Sequence, residues 1–154
     1  MPQGLTECLG RMLRAGDGWS DVRDLPPADL LNAAREEGVH LLVAAALNQN
    51  RQAATACPTL LATFQAVLRE AVATELVARR ELTQVAATLA ATGLHPLVFK
   101  GAALAFTHYP FPASRPRVDV DFMMSTEAAT RAESVFAGLG YAPLPCTSGT
   151  LVRS

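Results

Sequence analysis

Apolar residues recur at helical spacing through most of the first 93 residues. Residues 4–14, 26–37, 40–48 and 58–92 each predict a helix, and the second opens with two prolines, which a first helical turn accepts. In the fourth and longest predicted helix, apolar residues recur at spacings of four, three and four. They predict one buried stripe along the helix: Ala78, Leu82, Val85 and Leu89. The front of the chain is therefore predicted to be helical.

After Gly93 the pattern changes. Pro96–Phe99 is a short apolar run without helical spacing, which predicts a strand. Gly101 follows it, and Ala102–Thr107 predicts a short helix. Residues 109–116 contain three prolines in eight residues and are expected to form an extended loop.

Residues 117–124 alternate strictly, which predicts a strand with one face against a core. The apolar face carries Val118, Val120, Phe122 and Met124, and the other carries Arg117, Asp119, Asp121 and Met123. Ser125 is placed to cap a following helix, and residues 141–144 predict a third strand. The chain is therefore predicted to be α+β, with a helical region over residues 1–93 and a second region over residues 94–154.

Composition narrows the classes of protein that remain. Half of the 154 residues are hydrophobic and 18% are charged, which favours a folded domain. A formal net charge of −1 argues against an extended nucleic-acid surface, since phosphate neutralisation needs clustered Lys and Arg. The longest apolar run, Leu41–Leu47, is far shorter than the about 20 residues of a membrane span. With no signal-peptide pattern at the start, a cytoplasmic protein is expected.

The cysteines do not suggest a metal site or a disulfide framework. Cys8, Cys57 and Cys146 are far apart, and together with the three histidines they lack zinc-ligand spacing. Thiols buried in a reducing compartment are the expected state.

Asp119 and Asp121 lie two residues apart on the polar face of the predicted strand. Their Cα atoms are then about 6.6 Å apart and their side chains project to one side. Mg²⁺ prefers oxygen ligands and is commonly held by one or two carboxylates together with substrate phosphates. The pair is a candidate metal site, and the alternative is a solvent-exposed Asp-x-Asp on an edge strand.

Lys100 and Gly101 stand between a predicted strand and a predicted helix. Glycine lets backbone approach a ligand, a helix N-terminus favours an anion, and lysine adds a mobile cation. The turn is a candidate phosphate site, with a surface lysine at a strand end as the alternative. Arg115, four residues before Asp119, fits a triphosphate contact and a structural ion pair with the aspartates equally well.

These motifs, in this order, resemble an uncharacterised nucleotidyltransferase family of the DNA polymerase beta-like superfamily. Members of that family have LKG-xx-LA, YP, RP and DIDLLV after a helical region. The corresponding elements here are VFKGAALA at 98–105, Tyr109-Pro110, Arg115-Pro116 and DVDF at 119–122. The resemblance covers roughly Ala33 to Tyr141. It implies a partial nucleotidyltransferase-type mixed sheet with flanking helices over residues 94–154.

The resemblance also implies roles for individual residues. Asp119 and Asp121 would be Mg²⁺ ligands, and Gly101 would be the tight turn at the nucleotide phosphates. Lys100 and Arg115 would contact phosphate. The expected activity is transfer of a nucleoside monophosphate from a nucleoside triphosphate to an unidentified acceptor, which is a small molecule, a peptide or a protein.

Two departures from the superfamily pattern support an alternative. Ala102 stands where the superfamily has a serine, and the acids after Asp121 are Glu127 and Glu133, both in a predicted helix rather than on a later strand. Family members also continue further, so a chain truncated at its C-terminus is expected. The alternative is a catalytically impaired or truncated remnant that acts as a nucleotide-binding or protein-interaction module. A nucleotide-sugar glycosyltransferase is disfavoured, because the region before Asp119 is helical.

Overall fold

The computed structural model describes residues 3–14, 18–143 and 151–153. The chain divides into two compact units. The first comprises Met1–Glu75 with Ala105–Pro116, and the second comprises Leu76–Leu104 with Arg117–Ser154. The boundary predicted after residue 93 falls inside the second unit, and as a division between domains it stays a prediction.

Helices dominate the described residues, and the predicted ones are confirmed. Their bounds are α1 (Gln3–Arg14), α2 (Pro27–Glu36), α3 (His40–Gln49), α4 (Arg51–Ala56), α5 (Pro58–Ala91), α6 (Lys100–Thr107) and α7 (Thr126–Gly138). The sequence pattern missed α4, which is too short to show a period. It begins because the side chain of Asn50 accepts a hydrogen bond from the backbone N–H of Ala53 at 3.0 Å. Two short 3-10 turns, Trp19–Val22 and Pro112–Ser114, complete the helical elements described.

The first unit has its core between α1, α2, α3 and the start of α5. Its largest fully buried side chains come from these four helices and from the turn Trp19–Val22: Leu9, Met12, Val22, Leu30, Val43, Leu47 and Phe64. Each such side chain contributes about 1.5–3 kcal/mol by leaving water. Cys8 and Cys57 are buried in the same cluster as thiols, as expected, and Cys146 lies outside the described residues.

The second unit contains four short strands in two antiparallel pairs. β1 (Leu97–Phe99) pairs with β2 (Asp121–Met123), and β3 (Tyr141–Pro143) pairs with β4 (Leu151–Arg153). The resemblance implied a mixed sheet, whereas every pairing in the described residues is antiparallel. The α+β class with a helical N-terminal region is confirmed. The third predicted strand is present as β3, and β4 was not predicted.

The core of the second unit lies where α7 and β2 meet the end of α5. The buried cluster consists of Val85, Leu89, Leu94, Ala132 and Phe136, with Phe122 and Met124 packed against it. The predicted stripe on α5 is therefore buried at Val85 and Leu89, and Ala78 and Leu82 are half-buried. Gly93 follows the end of α5 at Ala91 and lies in the left-handed region with φ +74°, so the helix ends where the sequence pattern changes.

The strand predicted over residues 117–124 is shorter than its alternating pattern. Only Asp121–Met123 pair with β1, and Val118 is fully exposed although the pattern placed it against the core. The physical reason is that β1 offers three residues for pairing, so the residues before Asp121 have no described strand beside them. The alternation of apolar and polar residues indicated an extended backbone over residues 117–124. Strand pairing additionally requires a neighbouring strand, which β1 provides only for Asp121–Met123.

Ser125 caps α7 as predicted. Its side chain accepts a hydrogen bond from the backbone N–H of Ala128 at 3.2 Å, and Glu127 lies in the first turn, where a negative charge complements the helix dipole. This cap fixes the point at which the chain leaves β2. Among the described residues, no helix is both long enough and apolar enough to cross a membrane.

Candidate active site

The β1–β2 pairing brings together two residues that the sequence separates by 21 positions. Phe99, the last residue of β1, lies opposite Asp121, the first residue of β2. Lys100 follows immediately, and its Nζ donates to Oδ1 of Asp121 at 3.2 Å. The same Nζ lies 5.2 Å from the centroid of the Phe99 ring. The lysine and the second aspartate of the predicted site are therefore direct neighbours.

Lys100 has an unusual backbone conformation. Its φ is +52°, and no other non-glycine residue in the described part of the chain has a positive φ. A left-handed conformation at a residue with a Cβ costs of the order of 1 kcal/mol or more, and such residues cluster at functional sites. Here it turns the chain directly from β1 into α6, so that the helix begins at Lys100, the residue immediately after the strand.

The tight turn expected at Gly101 is instead made by Lys100. Gly101 is not among the glycines with positive φ, and it lies in the first turn of α6. A Cβ built on Gly101 would meet no atom closer than Cβ of Arg117, at 4.0 Å. The protein packing therefore leaves room at Gly101, which keeps the backbone of the first turn of α6 approachable. Its contact with nucleotide phosphates stays a prediction.

The two aspartates have different environments. Asp121 is half-buried, with its side chain 29% exposed beside the ammonium of Lys100. Asp119 is exposed and lies in the stretch before β2. Because two residues of extended chain span at most about 7 Å, the carboxylates remain neighbours along the chain. One is already neutralised by a protein cation, and the other is open to solvent.

The donor chemistry of this pair fits Mg²⁺ that arrives together with a nucleotide. Within residues 3–14, 18–143 and 151–153, no group of three or more His, Cys, Asp or Glu side chains is arranged to hold a metal ion. An all-protein metal cage is therefore not a feature of the described part. Mg²⁺ does not need one, since it is commonly bound by one or two carboxylates plus substrate phosphates and water. Asp119 and Asp121 would supply the carboxylates.

Arg115 is held by a residue that the sequence analysis had not assigned. Its Nη1 donates to the hydroxyl of Tyr109 at 3.1 Å, and its guanidinium carbon lies 5.3 Å from the centroid of the Tyr109 ring. Its buried Nε has no hydrogen-bond partner among the described residues. The signal available in the sequence was the spacing of the two X-Pro motifs, six residues apart, within one proline-rich loop.

Arg115 and Tyr109 belong to the first unit, whereas Lys100 and both aspartates belong to the second. The contact of Arg115 with phosphate stays a prediction.

The comparison with protein families identifies the family to which the chain belongs. Residues 24–147 match the model of a family described as uncharacterised nucleotidyltransferase. The chain belongs to this family. The matched range contains every residue assigned above to the site, and membership confirms the resemblance found in the sequence. Neither the search of curated proteins nor the search of solved structures gives a match.

Membership in the nucleotidyltransferase family supports a general role in nucleotidyl transfer. The β1–β2 pair joins two of the elements on which the resemblance to this family rested, the lysine–glycine turn and the Asp-x-Asp segment. The nucleotide, the metal and the acceptor are matters for proposal.

Proposed function

We propose that this protein binds a nucleoside triphosphate with Mg²⁺ and transfers the nucleoside monophosphate to a hydroxyl or similar group of an acceptor. The observation that carries the proposal is the contact between Lys100 and Asp121 at 3.2 Å. It joins a cation suited to phosphate to a carboxylate suited to Mg²⁺, in a chain whose family is named for this chemistry.

Each residue has a defined task in this proposal. Asp119 and Asp121 hold Mg²⁺ through their carboxylate oxygens. Lys100 and Arg115 offset the negative charge of the triphosphate, and Gly101 allows the phosphates to approach the first turn of α6. When bound, Mg²⁺ supplies charge stabilisation at the phosphates and helps the attacking oxygen to lose its proton.

The transfer balances as a simple displacement. A bond forms between the acceptor oxygen and the α-phosphorus, and the bond from the α-phosphorus to the oxygen that bridges it to the β-phosphate breaks. Pyrophosphate leaves with that bridging oxygen, and the proton of the acceptor hydroxyl passes to water. The residues of the site act by binding and orienting the charged groups, which is the main contribution of proteins to reactions at phosphorus.

The acceptor is proposed to be a small molecule, a peptide or a protein. The formal net charge of −1 does not suit a surface that must neutralise many phosphates of a nucleic acid. A cytoplasmic location, where nucleoside triphosphates and Mg²⁺ are abundant, is part of the proposal.

The first test removes both carboxylates while keeping their size. In Asp119→Asn/Asp121→Asn, Mg²⁺-dependent binding of ATP, GTP, CTP and UTP measured by calorimetry is expected to be lost, because amide oxygens carry no charge. The matched control is Glu127→Gln/Glu133→Gln, which removes the same charge from exposed positions on α7. Binding by the control is expected to equal that of the unaltered chain.

Turnover is tested separately by pyrophosphate release and by the mass of adducts on small molecules, peptides and the protein itself. Unchanged Mg²⁺-dependent binding in the aspartate variant would overturn the metal assignment. Nucleotide binding without release of pyrophosphate in the presence of any of these acceptors would overturn the transfer reaction and leave nucleotide binding as the function.

A further inference from the structure

Lys100 is the only lysine in the 154-residue sequence, where the other twelve basic residues are arginines. Arginine binds a carboxylate through a planar fork, whereas lysine carries a compact charge on a flexible stem that exchanges partners readily. The single position occupied by lysine is the one that contacts Asp121. The flexible stem of lysine suits a cation that exchanges one partner for another.

The contact with Asp121 conflicts with the proposed metal. The ammonium lies 3.2 Å from Oδ1, so Mg²⁺ on the same carboxylate would be within a few ångströms of a like charge. Two cations at that distance repel each other, so a metal ion on either oxygen of the carboxylate makes the contact with the ammonium less favourable. Metal binding at Asp121 therefore weakens the hold of this carboxylate on Lys100 and favours its release.

The geometry allows Lys100 to leave. Its side chain is 64% exposed, and it extends from a residue whose left-handed backbone places it at the first position of α6. The backbone position is fixed by β1 on one side and the helix on the other, while the four-carbon stem is free to turn. A triphosphate at the start of α6 would offer new oxygen partners within reach of the same side chain.

We propose that Lys100 acts as a placeholder cation that couples metal binding to nucleotide binding. In the absence of ligands it neutralises Asp121, and when Mg²⁺ and the nucleotide bind it moves from Asp121 to the triphosphate. Metal alone is disfavoured because the ammonium then loses its partner and gains none. The inference rests on the proposed function and adds to it the order and interdependence of binding.

The first experiment measures the affinity for Mn²⁺, used as a spectroscopic substitute for Mg²⁺, with and without ATP. For Lys100→Met, Mn²⁺ alone is expected to bind about two- to fivefold more tightly, the effect of removing a partly exposed ion pair. Mg-ATP is expected to bind about tenfold or more weakly, the loss of a hydrogen bond to a charged group. The opposite signs distinguish a placeholder from a simple phosphate ligand.

Two further variants serve as controls. Arg131→Gln removes a positive charge from an exposed position in the same unit. The guanidinium of Arg131 donates to the backbone oxygen of Thr92. It is expected to leave both affinities unchanged, which excludes a general effect of net charge. Lys100→Arg keeps the charge and is expected to keep Mn²⁺ binding close to that of the unaltered chain.

The second experiment uses the unaltered chain and follows the single lysine directly. An amine-reactive reagent modifies Lys100, and the rate is read from the mass of the peptide that contains it. Mn²⁺ alone is expected to increase the rate by releasing the ammonium from Asp121, whereas Mn²⁺ with ATP is expected to reduce it. In Asp121→Asn the rate is expected to be high and unresponsive to Mn²⁺.

The placeholder role is overturned if Lys100→Met binds Mn²⁺ alone no more tightly than the unaltered chain, or if Mn²⁺ alone does not raise the labelling rate. Either result leaves the proposed function intact when the unaltered chain still binds Mg-ATP and releases pyrophosphate. If the unaltered chain binds no nucleoside triphosphate, the proposed function itself fails, and the coupling fails with it.

Discussion

At the scale of single residues, the two aspartates of the candidate site have different environments because their neighbours differ. Asp121 is half-buried beside an ammonium, whereas Asp119 is exposed. Lys100 holds a left-handed backbone that most residues with a Cβ avoid, and it lies at the meeting point of β1, β2 and α6. An observed conformation of this kind at the end of a strand supports a functional position more strongly than composition does.

Tyr109 and Arg115 form the second residue-scale pair, joined at 3.1 Å. If Arg115 contacts the triphosphate, Tyr109→Phe is expected to weaken Mg-ATP binding about two- to tenfold. The reason is that losing this hydrogen bond frees the guanidinium to rotate, so that part of the about 1.5–3 kcal/mol of a hydrogen bond to a charged group is lost from nucleotide binding. AMP binding is expected to change less, because most of the charge that Arg115 meets is then missing. Calorimetry with both nucleotides measures the difference.

The chain supplies a matched control for this prediction, since Tyr141 is its one other tyrosine. The hydroxyl of Tyr141 donates to Glu81 in the second unit, so Tyr141→Phe removes the same atom from a structural contact. Its ATP affinity is expected to match that of the unaltered chain. Equal effects of the two substitutions would show that Tyr109 contributes to stability alone.

At the scale of elements, short strands and well-capped helices determine where the site lies. β1 and β2 pair over three residues each, which is enough to fix the register that places Phe99 opposite Asp121. The chain leaves β2 through Ser125, whose side chain starts α7, and α7 packs Ala132 and Phe136 against the core of the second unit. The helix therefore anchors a strand that has little pairing of its own.

The cap gives a prediction about stability. Ser125→Ala is expected to lower the free energy of unfolding by about 1 kcal/mol, because the backbone N–H of Ala128 loses its acceptor. Ser134→Ala is the control, since Ser134 is exposed within the same helix, where alanine is favoured. Urea unfolding followed by circular dichroism measures both. An equal or larger loss in the control would contradict the assigned role of the cap.

At the scale of the whole molecule, two compact units each have a core, and the candidate residues are divided between them. The first unit is stabilised mainly by buried apolar side chains from α1, α2, α3 and α5. It also contains one buried polar atom with consequences for stability. Nδ1 of His40, at the start of α3, is buried and has no hydrogen-bond partner among the described residues.

This histidine makes the stability of the fold depend on pH. Burial, with a smaller effect from the charge of Arg35, lowers the pKa of His40 below its ordinary 6.5. The unfolded chain therefore binds the proton more readily than the folded one, so stability is greatest above about pH 6.5 and falls as the pH drops toward the lowered pKa. The midpoint of thermal unfolding is expected to decrease over that interval.

His40→Gln removes the titrating group and is expected to reduce this decrease. His95→Gln, at an exposed position in the second unit, is the control and is expected to keep the pH dependence of the unaltered chain. If the His40 variant has the same pH dependence as the control, another group is responsible for it.

The sequence alone determined the features that depend on near neighbours along the chain. Helical periodicity predicted α1, α2, α3 and α5, because amphipathic spacing and proline or glycine ends are local properties. The ordered motifs from residue 98 to residue 122 were enough to indicate the family that the comparison confirms. Asp119, Asp121, Lys100, Gly101 and Arg115 were all named from these motifs, and their catalytic and binding roles stay predictions.

Only the tertiary structure decided which of these residues meet. The contact of Lys100 with Asp121 depends on the register of β1 with β2 across 21 residues, which no local pattern encodes. The same pairing limited β2 to Asp121–Met123, although alternation began at residue 117. The structure also has a left-handed backbone at Lys100, the residue before the glycine at which a tight turn was expected. The physical reason is that strand pairing is a long-range interaction, whereas periodicity reports only the conformation of the chain and the faces that it presents.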